Sequence, residues 1–382
     1  MDQVMIVAAE ASSSLFALRL LEHWKKEKKQ IHAFGVGSQD MEAMGFERLG
    51  KSEEMAVVGA AEIAEHFGKL KAVFNSLISE AAKRRPKVVI VMDYPEFNLM
   101  LSKKLHALGI SVVYYVSPQV WAWRRGRVDT IKKYCKKVLV LFNFEVPFYQ
   151  AKKVPVEFVG HPILDELNPK YFDPGYQKNH RNRCGIQDQD IVIGLMPGSR
   201  RLELKMHLQI QLEVARRLYK HYPHIKILLM CAPTVDPEVI RDQMEDVRFP
   251  IILQKDDPYE MMNLCDYILA ASGTATLMVG LMEKPMVIMY RMKWLTGVIA
   301  KLIVRGVKFF GLPNLILGRE VVPERWQGGA NVDELYALMK KYIDDPQYTA
   351  GVRRDLASLK NLLGDRGATA RAAKALEEYF QS

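Results

Sequence analysis

Short runs of aliphatic and β-branched residues alternate with longer stretches of helical periodicity along most of this chain. A wholly apolar run bounded by turn residues suits a strand covered on both faces, whereas apolar positions every three or four residues suit a helix lying on a sheet. In the first half the pattern predicts strands at Val4–Ala8, Ile31–Val36, Val88–Met92, Ser111–Tyr115 and Lys137–Leu141. Helices are predicted between them near Leu15–Lys28, Ile63–Lys83 and Asn98–Leu108. A polar stretch from Asn168 to Asn182, rich in Pro, Gly, Tyr and Asn, reads as a linker. The alternation restarts with strands at Ile191–Met196, Ile225–Met230, Pro250–Leu253, Tyr267–Ala271 and Pro285–Met289. Helical patterns in Val332–Tyr342, Thr349–Leu363 and Ala368–Tyr379 close the chain.

Such alternation marks parallel βαβ units, so the fold class is α/β. At 382 residues the chain exceeds the size at which one core stops growing. Two Rossmann-like, doubly wound domains facing a central cleft are therefore expected, over 1–165 and 166–345. The closing helices, 346–382, either stay with the second domain or return to the first.

Composition narrows the partners. Apolar residues make up 49% and charged residues 26%, ordinary for a globular chain. The cysteines, Cys135, Cys184, Cys231 and Cys265, show no CxxC and no Cys/His ligand spacing, and read as reduced core residues. Lys plus Arg is 54 against 44 acids, a formal net charge of +10. That surplus suits a polyanion: nucleic acid, an anionic membrane face or a phosphorylated substrate. The N-terminus lacks a basic region and its apolar run ends at Glu10, too short for a signal or a membrane span, so a cytoplasmic protein is expected.

Ligands of open parallel sheets collect beyond the carboxyl ends of the strands. Four such places carry chemistry. Ala9-Glu10-Ala11-Ser12-Ser13-Ser14 follows the first strand, and Asp93-Tyr94-Pro95-Glu96-Phe97-Asn98 sets two carboxylates and an amide after a wholly apolar one. Pro197-Gly198-Ser199-Arg200, with Glu203 just beyond, opens a helix, and so does Ser272-Gly273-Thr274-Ala275-Thr276. A helix N-terminus offers N–H groups and partial positive charge to a phosphate, and Arg200 adds a bidentate fork. Each turn alone also reads as ordinary capping; their joint occurrence favours a ligand site. Asp188-Gln189-Asp190 precedes its strand rather than following it, so it reads as a solvated turn, and no metal is expected.

Two further segments bear on partners. Tyr114 to Arg127 interleaves aromatic and basic residues, a composition that can stack bases and pair phosphates, but no RNA-binding motif accompanies it and nucleic acid is not expected. From Arg291 to Lys308 the charged residues are Arg291, Lys293, Lys301, Arg305 and Lys308, with Trp294, Leu295, Val298, Ile299 and Leu302 between them and no acid. That is the composition of a helix lying on an anionic membrane, and equally of a core helix with basic ends.

Several strings resemble the lipid-A-disaccharide synthase family. They are Asp93-Tyr94-Pro95-x-Phe97-Asn98, Tyr115-Val116-Ser117-Pro118-Gln119-Val120-Trp121-Ala122-Trp123 and Phe158-Val159-Gly160-His161-Pro162. Pro197-Gly198-Ser199-Arg200-x-x-Glu203, Ser272-Gly273-Thr274-Ala275-Thr276-Leu277 and Leu312-Pro313-Asn314-Leu315 continue the series in family order. The resemblance implies a GT-B glycosyltransferase that inverts the anomeric centre. It would pass a sugar from UDP-2,3-diacylglucosamine to 2,3-diacylglucosamine 1-phosphate (lipid X), giving a β(1→6) disaccharide and UDP. No cofactor is implied, and the enzyme would sit peripherally on the cytoplasmic face of the anionic inner membrane; a homodimer is compatible with it. The resemblance makes Asp93 the first choice of base, with Glu10 and Glu96 behind it. Arg200 and the turns at Ser199 and Ser272 would hold the diphosphate. Ser12, Asn98, Gln119, Trp121, Gly198, Glu203, Gly273, Thr274, Thr276 and Asn314 are the further expected substrate contacts.

The chain departs from the family in three places. The usual Gly-Glu-Ala-Ser-Gly-Asp is Ala9-Glu10-Ala11-Ser12-Ser13-Ser14, Asn143 replaces the proline of Pro-Phe-Glu, and Met278 stands where a glutamate takes the ribose hydroxyls. A thioether is only a weak acceptor. Two alternatives therefore stay open: a divergent member with altered donor use or no catalysis, and a membrane-associated protein that binds lipid or nucleotide without turnover.

Overall fold

The computed structural model describes residues 1–55, 60–118, 126–233, 235–292 and 308–380, with the side chains of 60–67 outside that description. The chain forms two units, Met1–Asp165 with Leu363–Ser382, and Glu166–Leu362.

The first unit is built on a seven-stranded parallel sheet. Its strands are β1 (Asp2–Ala8), β2 (Ile31–Gly37), β3 (Glu47–Lys51), β4 (Val88–Met92), β5 (Val112–Tyr115), β6 (Lys137–Val140) and β7 (Val156–Phe158). They lie in the order β3-β2-β1-β4-β5-β6-β7. Every residue of β4 and β5 is buried, as continuous apolar runs in a doubly covered sheet require. The helix Ala11–Lys26 turns Phe16, Ala17, Leu20 and Trp24 inward. Strand order reverses between β1 and β4, the topological switch point where such sheets open a crevice.

The second unit repeats the design with β8 (Ile191–Met196), β9 (Ile225–Met230), β10 (Ile251–Gln254), β11 (Tyr267–Ala271), β12 (Met286–Tyr290) and β13 (Glu324–Trp326). The order is β10-β9-β8-β11-β12-β13, again parallel throughout, with its switch point between β8 and β11. Among the described residues no helix is long and apolar enough to cross a membrane.

Every strand expected from the pattern is present, but β3, β7 and β13 are additional, and all three are sheet edges. An edge strand pairs on one side only and tolerates charge, so Glu47-Arg48, Glu157 and Glu324-Arg325 interrupt the apolar signal. The expected linker is instead helical, as Pro169–Phe172 and Pro174–Arg183. Asn168 and Asp173 cap these turns, and the attachment is polar rather than apolar, which is why no periodicity betrays it. Lys170 and Tyr176 bond Glu260, Gln177 bonds the Asn263 carbonyl, and Arg181 pairs with Asp266. Cys184, expected in the core, is exposed at the end of this helix.

The helix Pro346–Ala357 belongs to the second unit, which runs to Leu362 rather than ending at 345. Only Leu363–Ser382 joins the first unit. There Asp165 accepts the N–H groups of Gly367 and Thr369 at the start of the helix Ala368–Leu376, and Arg371 Nε donates to the Val159 carbonyl.

At the amino ends of β11 and β12, buried Lys284 donates to the carbonyls of Asn263 and Cys265. Burial lowers its pKa from 10.5 to about 8. Between those values the unfolded chain holds a proton that the folded chain has released, so this group makes stability rise with pH there and adds no slope below about 8. In urea titrations the midpoint of the unaltered protein should gain on that of Lys284→Met as pH climbs through this window. A constant gap would show that Lys284 stays charged when buried.

Candidate active site

Register brings the expected turns together in pairs. Ala8 of β1 lies beside Met92 of β4, so the segments leading to Glu10 and Asp93 emerge side by side at the first switch point. Ala270 of β11 lies beside Met196 of β8, so the Ser272 and Pro197 turns emerge together at the second.

In the first unit the backbone at this point is strained. Asp93, Tyr94 and Val116 have φ of 46°, 43° and 63°, a left-handed conformation that costs energy for a side-chain-bearing residue and most for a β-branched one. A network holds it. Asp93 N–H donates to the Val116 carbonyl at 3.1 Å, and the Asp93 carbonyl accepts from the Tyr114 hydroxyl at 2.6 Å and from Asn98 Nδ2 at 2.7 Å. The Asp93 side chain is left half-buried. Burial raises the Tyr94 phenol, with the negative charge of Glu10 adding to it, so Glu10 and Tyr94 are electrostatic neighbours. Glu10 caps the helix Ala11–Lys26, exchanging backbone bonds with the Ser13 hydroxyl. Glu96 is exposed and ion-paired with Arg127.

In the second unit Gly198 has φ of 124°, and a Cβ there would stand 2.5 Å from Glu203 Oε2, so only glycine makes this turn. Glu203 accepts the Ser199 N–H at 2.8 Å and lies 3.6 Å from Arg200, closing the N-terminus of the helix Arg201–His221. The Arg200 side chain keeps 47% of its surface exposed. In the companion turn Ser272, Gly273 and Thr274 reach solvent.

Several of the expected substrate-contact residues brace their own turns. Asn98 is wholly buried, its Nδ2 donating to the Met92 and Asp93 carbonyls. Asn314 is wholly buried too: Oδ1 accepts from Val321 and Val322, and Nδ2 donates to the Val322 carbonyl and Glu324. Thr276 is buried and spends its hydroxyl on the Gly273 carbonyl. Glu203 braces the Pro197 turn as described, and Ser12 is half-buried in the first helix. For Asn98, Asn314, Thr276 and Glu203 the shape of a turn, which no local pattern reports, claims the polar group. Asp190, read as solvated, is buried and accepts the Gln187 N–H.

Gln119 and Trp121 lie outside the described residues, as do Lys293, Trp294, Ile299, Lys301 and Arg305. The two described ends of that basic stretch, Arg291 and Lys308, are not helical; Lys308 is exposed and Arg291 directly follows β12. Sequence reading missed His207, a wholly buried histidine on the helix Arg201–His221 that bonds Pro197 and Arg291. Its spacing from the Pro197 turn was the available signal.

Comparison with known proteins supplies the chemistry that geometry alone leaves general. The family model described as lipid-A-disaccharide synthetase matches residues 4–376. The chain is 38% identical to the lipid-A-disaccharide synthase of Geobacter sulfurreducens over 371 residues, 97% of this chain and 95% of that protein. Among solved structures it is similar to S. aureus MnaA in its co-structure with UDP, with a TM-score of 0.66, 12% identity and 100% and 97% of the two chains covered. It is also similar to the UDP-GlcNAc 2-epimerase of Neisseria meningitidis bound to UDP-GlcNAc, with a TM-score of 0.64, 14% identity and 98% and 100% covered. At these identities the two structures speak to fold alone, and that fold is of the GT-B type.

Proposed function

Because the chain belongs to the lipid-A-disaccharide synthase family, we propose that it joins UDP-2,3-diacylglucosamine to 2,3-diacylglucosamine 1-phosphate with inversion. The 6-hydroxyl oxygen of the acceptor bonds to the anomeric carbon while the bond from that carbon to the diphosphate oxygen breaks. The hydroxyl proton passes to a carboxylate, and UDP leaves with the electron pair. Asp93 is the base in this reading. It follows β4 at the switch point, and Glu96, its neighbour, is occupied by Arg127. Arg200 and the first-turn N–H groups of Arg201–His221 receive the diphosphate, where they stabilise the charge that grows as UDP departs. The acyl chains of both substrates place the enzyme at the inner-membrane surface, which its positive charge favours.

The observation that carries this reading is the family match across 4–376, with a strained carboxylate turn in one unit and a glycine-dependent anion turn in the other. The test is incubation of purified protein with the UDP donor and radiolabelled lipid X in detergent. Disaccharide 1-phosphate and equimolar UDP are expected, with a β anomeric linkage by NMR. Absence of both products overturns the reading, and donor binding without turnover favours a binding protein. Met278 motivates a second donor in the assay, since without a carboxylate the ribose hydroxyls lose a strong acceptor.

A further inference from the structure

We propose that Arg291 is a second guanidinium for the diphosphate held by the second unit, and that His207 is the residue that positions it. This rests on the reading of that unit as a UDP-sugar site. The sequence pattern groups Arg291 with a membrane-facing segment, but the structure sets it at the carboxyl end of β12, the strand beside β11. It is half-buried, and its Nε lies buried with no hydrogen-bond partner among the described residues. A buried guanidinium N–H without an acceptor is unfavourable, and with the N-terminus of the helix Arg201–His221 tied to it through His207 an anionic ligand is the natural acceptor.

His207 ties Arg291 to the Pro197 turn. Its Nδ1 is 2.9 Å from the Pro197 carbonyl, and its Nε2 is 3.0 Å from the Arg291 N–H. A carbonyl only accepts, so Nδ1 carries the proton it shares with Pro197, while Nε2 faces the Arg291 main chain. The Arg291 carbonyl lies 3.1 Å from the same Nε2. One turn further along the helix, Gln211 donates to the Met196 carbonyl at 3.2 Å. Two buried polar side chains on one helix face thus hold successive carbonyls where β8 ends, and His207 reaches past the end of β11 to the backbone beyond β12. Tyr290 packs on His207 with ring centroids 5.7 Å apart. Burial raises the Tyr290 phenol, and among the charges acting on it are Glu203 and Arg200, so the end of β12 lies within electrostatic reach of the Pro197 turn.

The chemistry suits the departing group. As the sugar leaves, the diphosphate gains negative charge, and a planar guanidinium can share it through two parallel hydrogen bonds. An arginine whose main chain is held at Nε2 of a buried imidazole, itself anchored through Nδ1 to Pro197, loses little further freedom on binding.

Calorimetric titration of the full chain with UDP, paired with kcat and donor and acceptor KM, tests both parts. Arg291→Gln should weaken UDP binding at least about tenfold, and Arg291→Lys should recover part of it. His207→Leu should raise donor KM and weaken UDP severalfold with acceptor KM unchanged. His207→Asn, whose amide N–H can replace Nδ1–H, should recover part of that loss. Sedimentation of Arg291→Gln with phosphatidylglycerol vesicles should match the unaltered protein. UDP affinity kept in Arg291→Gln but lost in Arg200→Ala overturns the inference and leaves the donor-site reading intact; no UDP binding by the unaltered protein overturns that reading itself. His207→Leu that lowers the melting temperature without moving UDP affinity or donor KM reduces His207 to a structural role and overturns its part. Vesicle binding lost with UDP affinity kept returns Arg291 to the membrane surface.

Discussion

Replacing Arg200 by alanine is expected to lower turnover by about 10²- to 10³-fold, the usual cost of removing one preorganised donor from a developing charge. Stability should barely move. The side chain is 47% exposed, and its 3.6 Å pair with Glu203 is of the surface kind that contributes little. An unfolding free energy within about 0.5 kcal/mol of the unaltered protein is therefore expected. Glu203 keeps its bond to the Ser199 N–H in the variant, so the turn survives and the loss reports on the guanidinium alone. Arg200→Lys should fall between, because an ammonium keeps the charge but not the bidentate fork. Turnover within about threefold of the unaltered enzyme would remove Arg200 from the diphosphate site.

Asp93→Asn should lower kcat by about 10²- to 10⁴-fold with both KM values little changed, the range for loss of a positioned base. Asparagine is the informative substitution because residue 93 has φ of 46°, a conformation that Asn tolerates far better than Ala. The bonds to Val116, Tyr114 and Asn98 all use the main chain of residue 93 and persist in the variant. The comparison is Glu10→Gln and Glu96→Gln under the same assay. Glu96 is exposed and paired with Arg127, so its loss should be small. A deeper loss in Glu10→Gln than in Asp93→Asn would transfer the base to the β1 side of the switch point.

Much of the architecture was legible because central strands of a covered sheet must be apolar throughout. Val88–Met92 and Ile191–Met196 could hardly be read otherwise. The edges were not, since Glu47–Lys51 and Glu324–Trp326 face a neighbour on one side only and carry charge. Likewise the helix Pro174–Arg183 presents no apolar stripe, because its docking uses Tyr176, Gln177 and Arg181 on polar partners. A small-residue turn after a strand was enough to mark the Pro197 and Asp93 positions as strand ends at the switch points. It did not show that Asn98, Asn314 and Thr276 bond within their own loops.

By itself, then, the sequence determined which central segments become strands, which turns follow them and which polar side chains those turns carry. These are local matters, settled by side-chain pattern and by the conformational range of residues such as Gly198. Only the tertiary structure decided which turns are neighbours. Strand order joins β1 to β4 and β8 to β11 across long stretches of chain, and a parallel pairing leaves no mark near the residues it brings together. The same holds for Arg291: its neighbours in sequence suggest a membrane, and its neighbour in space, His207, is 84 residues away along the chain and joins it to the Pro197 turn.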